Sequence, residues 1–393
     1  MDGAPARSGL SLAVNVLGVG ALFLPWTAQA VQGRAALWGW GYHVVAGALL
    51  VGALTAVSRA PGAATGAISL IDGVLGRVPG RAVRAFYVLG ITAGQVVVAL
   101  VAGGFLSQAL APGLSRTAVE GLIGWVAAGV LVLAVALAPS DRKVADRWVF
   151  GAILVLLALA LLTGARAAPG TAAGPPVAPI GIAEAAALQF FVVVGWEASC
   201  RLAPTTVGRR WPGPLGGVAA VGILYGAVLW AAPSTGTVPA IAGLALPDLG
   251  GNAAGRAVAG GMGVVTAYFC VRNIRTAARL AADLSSRGAP SPRTVATMAL
   301  AAAVAALAGV ALVQGGLLAA TDALSVPNAM AWAVFLTAAV AAVVAGEGWG
   351  RVLGAAAVAA YLPLLPFLGA TALLPIAVLS GAALLGPARL RSG

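Results

Sequence analysis

The chain has 393 residues, of which 61% are apolar and only 9% charged, with a formal net charge of +12. A soluble domain carries roughly a quarter charged residues, so this composition cannot cover a water-facing surface and excludes an ordinary soluble fold. Such a positive balance would suggest nucleic acid in a soluble protein, but here the basic residues are distributed as topology signals and nucleic acid has no further claim on them.

Apolar windows read against Pro, Gly and charge predict twelve spans. The first six lie near residues 10–31, 36–57, 84–110, 118–138, 147–163 and 182–200. The second six lie near 215–232, 253–271, 294–314, 322–345, 349–367 and 370–386. Stretches of about twenty apolar residues cross roughly 30 Å of hydrocarbon as helices. Lipid offers no partner to backbone N–H and C=O groups, which leaves helices or a closed barrel. Runs such as Val130–Ala138 and Ala299–Val313 lack the in/out alternation of barrel strands. The expected class is therefore an all-α polytopic membrane protein. The first stretch has no positively charged leader of any length and eleven spans follow it, which does not fit a cleaved signal peptide.

Twelve spans put both termini on one side. With cytoplasmic termini, the inside segments hold nineteen Lys and Arg residues, and the outside segments only Arg34, Arg116, Arg166 and Arg256. This is the positive-inside pattern, it faces the basic charge toward the anionic inner leaflet, and it places the chain in a bacterial-type inner membrane. The longest connections are 58–83, the Pro/Gly-rich 164–181, and 233–252. None has room for a nucleotide-binding domain and no Gly-x-x-x-x-Gly-Lys-Ser/Thr loop occurs, so ATP-driven pumping is excluded for this chain alone.

In chain order, span 1 contains Asn15-Val-Leu-Gly18-Val-Gly20-Ala-Leu-Phe-Leu-Pro25. Gly18 and Gly20 tolerate an unwound turn, and Pro25 removes an N–H and clashes with the carbonyl four residues earlier. A broken helix frees peptide groups, and the half-helix beyond it presents a positive end to an anion such as a carboxylate. The alternative is that these residues are packing and kink positions. His43 sits mid-span 2 among Tyr42, Val44 and Val45 and reads as a packed core residue. Span 6 contains Phe191-Val-Val-Val-Gly195-Trp-Glu197, and Glu197 is the acidic residue that lies well inside a span. An intramembrane carboxylate is costly; it carries a proton, holds a half-helix end by hydrogen bonds, or faces a vestibule. Gln95, Gln189, Asn273 and Asn328 are further polar residues inside spans, candidates for lining or for interhelical hydrogen bonds. Cys200 and Cys270 have no metal-ligand spacing, and no metal or cofactor is expected. Broken spans five apart suggest a five-plus-five inverted repeat followed by two further helices, with the repeats at about 10–163 and 182–345 and the last helices at about 349–386 of a single transport domain covering 1–393.

Gly18-Val-Gly20-x-x-Phe23-x-Pro25 resembles the first-helix signature of the amino acid–polyamine–organocation superfamily, with its Phe displaced by one position. Phe190-Phe191-Val-Val-Val-Gly195-Trp-Glu197-Ala198 is similar to that superfamily's sixth-helix motif. Pro61-Gly62 falls where the family has Pro-x-Gly-Gly. Leu37-Trp38-Gly-Trp40, Asn273-Ile274 and Leu284-Ser285-Ser286-Arg287 resemble the methionine and branched-chain amino acid exporter branch. Arg272 and Arg275 flank Asn273 where that branch is mostly neutral.

The resemblance implies a LeuT-type fold with helices 1 and 6 interrupted. It places a substrate carboxylate on N–H groups around Val19, Gly20 and Ala21, and the ammonium on carbonyls around Val16 and Leu17 and around Phe191, Val192 and Val194. Gly18 and Gly195 supply the breaks, and Phe191 is a gate. Glu197, Gln95 and Asn273 are candidates for coupling or gating. The apolar neighbours in span 6 fit an apolar, neutral side chain, because a charged one would need a partner. The 263–273 stretch offers Thr266 but no Ser/Thr pair, which disfavours sodium, and Glu197 is the best proton site. Export or exchange of a neutral amino acid coupled to protons is the expected function. Uptake is the alternative within transporters, and a receptor or assembly subunit the alternative outside them. An enzyme would need more clustered chemistry than one histidine and one deep carboxylate provide.

Overall fold

The computed structural model describes residues 9, 11–13, 16–111, 113, 116–138, 146–164, 177–199, 212–239, 243–285 and 290–385. Asn15, Cys200, the Arg201–Arg210 stretch, most of the Pro/Gly-rich segment and the basic residues at both termini lie outside them. Eight of the described helices are long and apolar enough to cross a membrane. They are span 2 (Ala35–Ala56), span 3 (Arg77–Leu110), span 4 (Ala118–Leu137) and span 7 (Pro212–Ser234), then span 8 (Ala253–Ser285), span 9 (Pro292–Gln314), span 10 (Ala320–Ala345) and span 11 (Trp349–Leu368). Shorter apolar helices supply span 5 (Trp148–Thr163), span 6 (Pro179–Val193) and span 12 (Ala370–Gly381), and span 1 is a broken helix whose second half is Gly20–Gln32.

Two boundaries move. Span 3 begins at Arg77 rather than 84, and span 8 runs on to Ser285 rather than 271. The expected connection 58–83 is correspondingly short, and contains a further helix at Ala67–Leu75. Hydropathy marks where lipid ends, whereas the backbone ladder continues into water wherever good helix formers such as Arg and Ala follow.

Spans five apart pack together: 1 on 6, 2 on 7, 3 on 8 and 4 on 9. Span 5 packs on span 8 as span 10 packs on span 3. This reciprocal pairing is what two inverted halves produce. Beyond span 7, Thr237–Pro239 pairs antiparallel with Ala245–Pro247, and the second of these strands packs on the second half of span 1. There Trp26 Nε1 donates to Thr235 Oγ1 at 2.7 Å, Thr27 Oγ1 donates to the Ala245 carbonyl at 3.0 Å, and Gln29 Nε2 donates to the Leu229 carbonyl at 2.8 Å. The second half of span 1 is thus tied to the ribbon and to span 7.

Span 2 approaches span 6 closely because it carries glycine where span 6 carries a ring. A Cβ on Gly47 would lie 1.9 Å from Cζ3 of the fully buried Trp196. Gly47→Ala is therefore expected to destabilise the protein by about 1–3 kcal/mol through overpacking, read as a fall of several degrees in melting temperature in detergent. Adding Trp196→Phe should recover part of the loss. An unchanged melting temperature in the single variant would mean that the ring is not wedged there.

Candidate functional site

The breaks in spans 1 and 6 have different causes. In span 1 the helix stops at Val16, residues 17–19 turn, and the helix resumes at Gly20. The Leu17 N–H still makes an α-helical bond to Ala13 at 2.8 Å, whereas the Gly18 N–H donates to Val16 at 2.7 Å, a tight turn that leaves the ladder. Pro25 lies inside the resumed half, so the carbonyl it deprives of a partner is that of Ala21, one turn beyond the break. In span 6, Pro179 opens the first half at a position where a missing N–H costs nothing. The helix tightens to a 3₁₀ turn at Phe190–Val193, becomes extended at Val194, and reverses at Gly195 with φ of 125°. That conformation strains any residue with a side chain.

Glu197 holds this reversal. Its Oε2 accepts from the Gly195 N–H at 2.7 Å, and its Oε1 accepts from the hydroxyl of Tyr87 on span 3. The carboxylate is buried, at 7% exposure, and these bonds offset part of the cost of placing it there. The last carbonyls of the first half of span 6 are claimed by its neighbours. His43 Nε2 bonds Ala186 at 2.6 Å, Asn328 Nδ2 donates to Ala187 and Leu188 at 2.9 and 3.2 Å, and Gln189 Nε2 donates across to Ala36 at 2.8 Å. His43 is fully buried against the Phe190 ring. Gln189, Asn328 and His43 therefore bind helices together, and the peptide groups left to face inward are those from Phe191 to Gly195.

They face a cavity of about 410 Å³. Val16, Gly18, Val19 and Gly20 of span 1 line it opposite Phe191, Val192, Val194 and Gly195 of span 6. Glu197, Gln95 and Asn273 also reach it. The two breaks touch at one point, where a Cβ on Gly20 would lie 3.2 Å from Val192 Cγ2. Buried valines surround the deep end, and the mouth is marked by exposed Thr65 and Thr276. Thr65 lies between Arg59 and Arg77, and Thr276 between Arg275 and Arg279. The cavity thus opens at the basic end, opposite the ribbon.

Two expected residues differ. The Leu17 and Ala21 side chains border a separate apolar hollow against Leu154, Leu224 and Tyr225. The Ala21 N–H donates to the Gly18 carbonyl at 3.2 Å, because the first turn of the resumed half closes on the break; it is not presented to a ligand in this state. Phe191 forms the partition between the cavity and a second apolar hollow of about 40 Å³. Its ring rests on span 3 at Gly94, where a Cβ would lie 2.7 Å away.

Several lining residues were not singled out in the sequence. Tyr87, Ile91 and Gln95 fall at four-residue spacing on one face of span 3, so Gln95 pointed to the other two. Phe269, Asn273, Thr276 and Leu280 form a similar face of span 8, with Arg272 beside them. The Arg272 guanidinium sits over the Phe269 ring, 5.7 Å from its centroid.

No family model matches the chain, and no curated protein does. Among solved structures it is similar to MhsT, crystallised in complex with L-phenylalanine, with a TM-score of 0.59 and 15% identity over 95% of this chain and 98% of that one. The likeness covers the whole bundle and shows the fold: all-α, LeuT-type, in a multi-pass membrane protein.

Proposed function

We propose that the chain is a secondary transporter that moves an α-amino acid across the membrane by alternating access. One observation carries the reading: two interrupted helices meet around a cavity lined by both breaks, which reaches the exposed Thr65 and Thr276 at the basic end. A zwitterion suits that geometry. Its carboxylate would sit at the start of the Gly20–Gln32 half-helix, where the macrodipole is positive, and its ammonium would face carbonyls between Phe191 and Val194. That the similar fold of MhsT was crystallised with an amino acid agrees with this choice of ligand. The buried valines of the deep end favour a neutral, apolar side chain in that part of the cavity.

The finer assignments rest on the residues. The distribution of Arg supports a cytoplasmic cavity mouth and cytoplasmic termini in a bacterial-type cell, a reading in which the described state faces inward. The motifs of spans 1 and 6 support the amino acid–polyamine–organocation superfamily, and those of spans 2 and 8 its methionine and branched-chain exporter branch. Thr266 of span 8 donates to its own helix at Met262 and is one oxygen where sodium would need several. Proton-coupled efflux or exchange through Glu197 is the coupling we favour. Uptake is the second reading within transport. A receptor or assembly subunit is the second reading outside it, and a catalytic role would need more clustered chemistry than the described residues provide.

Reconstitution into liposomes with radiolabelled neutral amino acids, with and without an imposed pH gradient, tests the reading. Saturable exchange of at least one amino acid, increased by the gradient, is expected. No flux or exchange for any of them removes transport from consideration and leaves the receptor reading.

A further inference from the structure

Two buried polar side chains line the cavity among the described residues, Glu197 and Gln95. Both oxygens of Glu197 accept hydrogen bonds. Gln95 has no exposed surface, and its Oε1 accepts no hydrogen bond among the described residues. Its Nε2 donates to the Ile91 carbonyl one turn earlier, at 2.7 Å. A carbonyl only accepts, so this bond fixes which end of the amide turns back to the helix, and the oxygen is the end left over. A buried acceptor without a donor is uncommon in folded proteins, and one in a cavity wall is explained by a ligand that brings the donor. Resting on the transport reading above, we propose that Gln95 selects amino acids whose neutral side chain carries an N–H or O–H group, which its Oε1 receives.

The position of Gln95 fits that role. Spans 1 and 6 hold the main chain of the ligand, so its side chain leaves toward spans 3 and 8. On span 3, Gln95 is the member of the Tyr87, Ile91, Gln95 face farthest from the Arg77 end. Its neighbour Gly94 supports the Phe191 ring, which sets Gln95 at the level where span 6 unwinds. On span 8, Phe269 marks the level of the other break, because its Cε1 lies 3.8 Å from where a Cβ on Gly18 would be. Ile91 and Phe269 thus give a side chain an apolar body to pack on, and Gln95 gives its donor a partner. The valines of the deep end, Val16, Val19 and Val192, belong to spans 1 and 6, and they leave the choice between a methyl and a hydroxyl to span 3. An acidic side chain would set its oxygens against Oε1, and a cationic one would bring a charge to a depth where it needs a counter-charge. A neutral donor does neither. An apolar analogue leaves the acceptor unpaired, which is why hydrogen-bonding sites reject such analogues more strongly than apolar pockets reject a difference in size.

The test uses the full chain in liposomes, with exchange of radiolabelled leucine and of radiolabelled threonine. Unlabelled amino acids compete in pairs matched in shape: threonine with valine, asparagine with leucine, and tryptophan with naphthylalanine. In the wild type, the donor-bearing member of at least one pair is expected to inhibit at a concentration about tenfold or more below that of its apolar partner. In Gln95→Met, which keeps the length and removes the acceptor, that ratio should fall to about one, with the apolar member inhibiting as before. A purely structural role for Gln95 would weaken both members alike and leave the ratio unchanged, which overturns the proposal. So does a wild type in which the apolar member of every pair inhibits as well or better. Should Gln95→Met not reach the membrane, Gln95→Leu is read in the same way, and failing both the wild-type ratio decides. If neither label is exchanged, the transport reading fails separately. The melting temperature of the purified protein then decides: a larger rise with the donor-bearing member that is lost in Gln95→Met supports the site, and equal rises, no rise, or a difference that persists in the variant overturns it.

Discussion

Gly20→Val is expected to abolish substrate binding while the protein still reaches the membrane. At this position the resumed half of span 1 meets the 3₁₀ turn of span 6. A Cβ alone would lie 3.2 Å from Val192 Cγ2, 3.4 Å from Leu24 Cδ1 and 3.5 Å from Val192 Cα. A valine adds two further carbons, which must push the two breaks apart or cover the first N–H groups of the half-helix. Either outcome removes the positive helix end from the ligand, and the expected loss in affinity is more than tenfold, about 1.4 kcal/mol or greater. The contrast lies two residues earlier. A Cβ on Gly18 would meet the Phe269 ring at 3.8 Å, an ordinary contact, so Gly18→Ala should bind nearly as the wild type does. Equilibrium binding of radiolabelled leucine to both purified variants checks the pair. Undiminished binding by Gly20→Val would mean that the ligand does not sit where the breaks meet.

The second large effect is expected at Glu197. Its two oxygens accept from two donors, the Gly195 N–H and the Tyr87 hydroxyl. Glutamine keeps one accepting oxygen and turns an NH₂ toward the other donor, which leaves a buried donor unpaired at a cost of about 1–3 kcal/mol. The reversal at Gly195 loosens, and transport by Glu197→Gln should fall roughly tenfold or more if that loss is borne in the rate-limiting step. The amide also has no proton to exchange, so the remaining flux should no longer respond to a pH gradient. Tyr87→Phe is the control, because it removes one donor and keeps the carboxylate: its rate should fall while the response to the gradient persists. A full gradient response in Glu197→Gln would assign Glu197 to holding the break and leave the coupled proton to another group.

Most helix positions were legible because a bilayer leaves the chain few choices. Each peptide group in hydrocarbon must be bonded within its own segment, so apolar length and Gly/Pro punctuation located spans 4, 9 and 10 to within about two residues of the observed helices. Where a helix leaves the lipid that constraint ends. Arg77–Arg84 and Arg272–Ser285 looked like connections, yet they continue helices because water, too, tolerates a bonded backbone. The breaks were legible for a related reason: glycine at 18, 20 and 195 beside an otherwise apolar run marks where the ladder is allowed to fail.

By itself the sequence determined the class, the positions of most helices, and the two places where helices 1 and 6 unwind, since each follows from what lipid does to peptide groups. Tertiary structure alone decided which peptide and side-chain groups share one hollow. It turned the Leu17 and Ala21 side chains toward a separate hollow, set Tyr87 against Glu197 across 110 residues, and laid the Arg272 guanidinium over the Phe269 ring. Those are matters of how helices rotate and approach, settled by glycines at contact points such as Gly47 and Gly94, and the composition of a single span does not encode the partner that will lie against it.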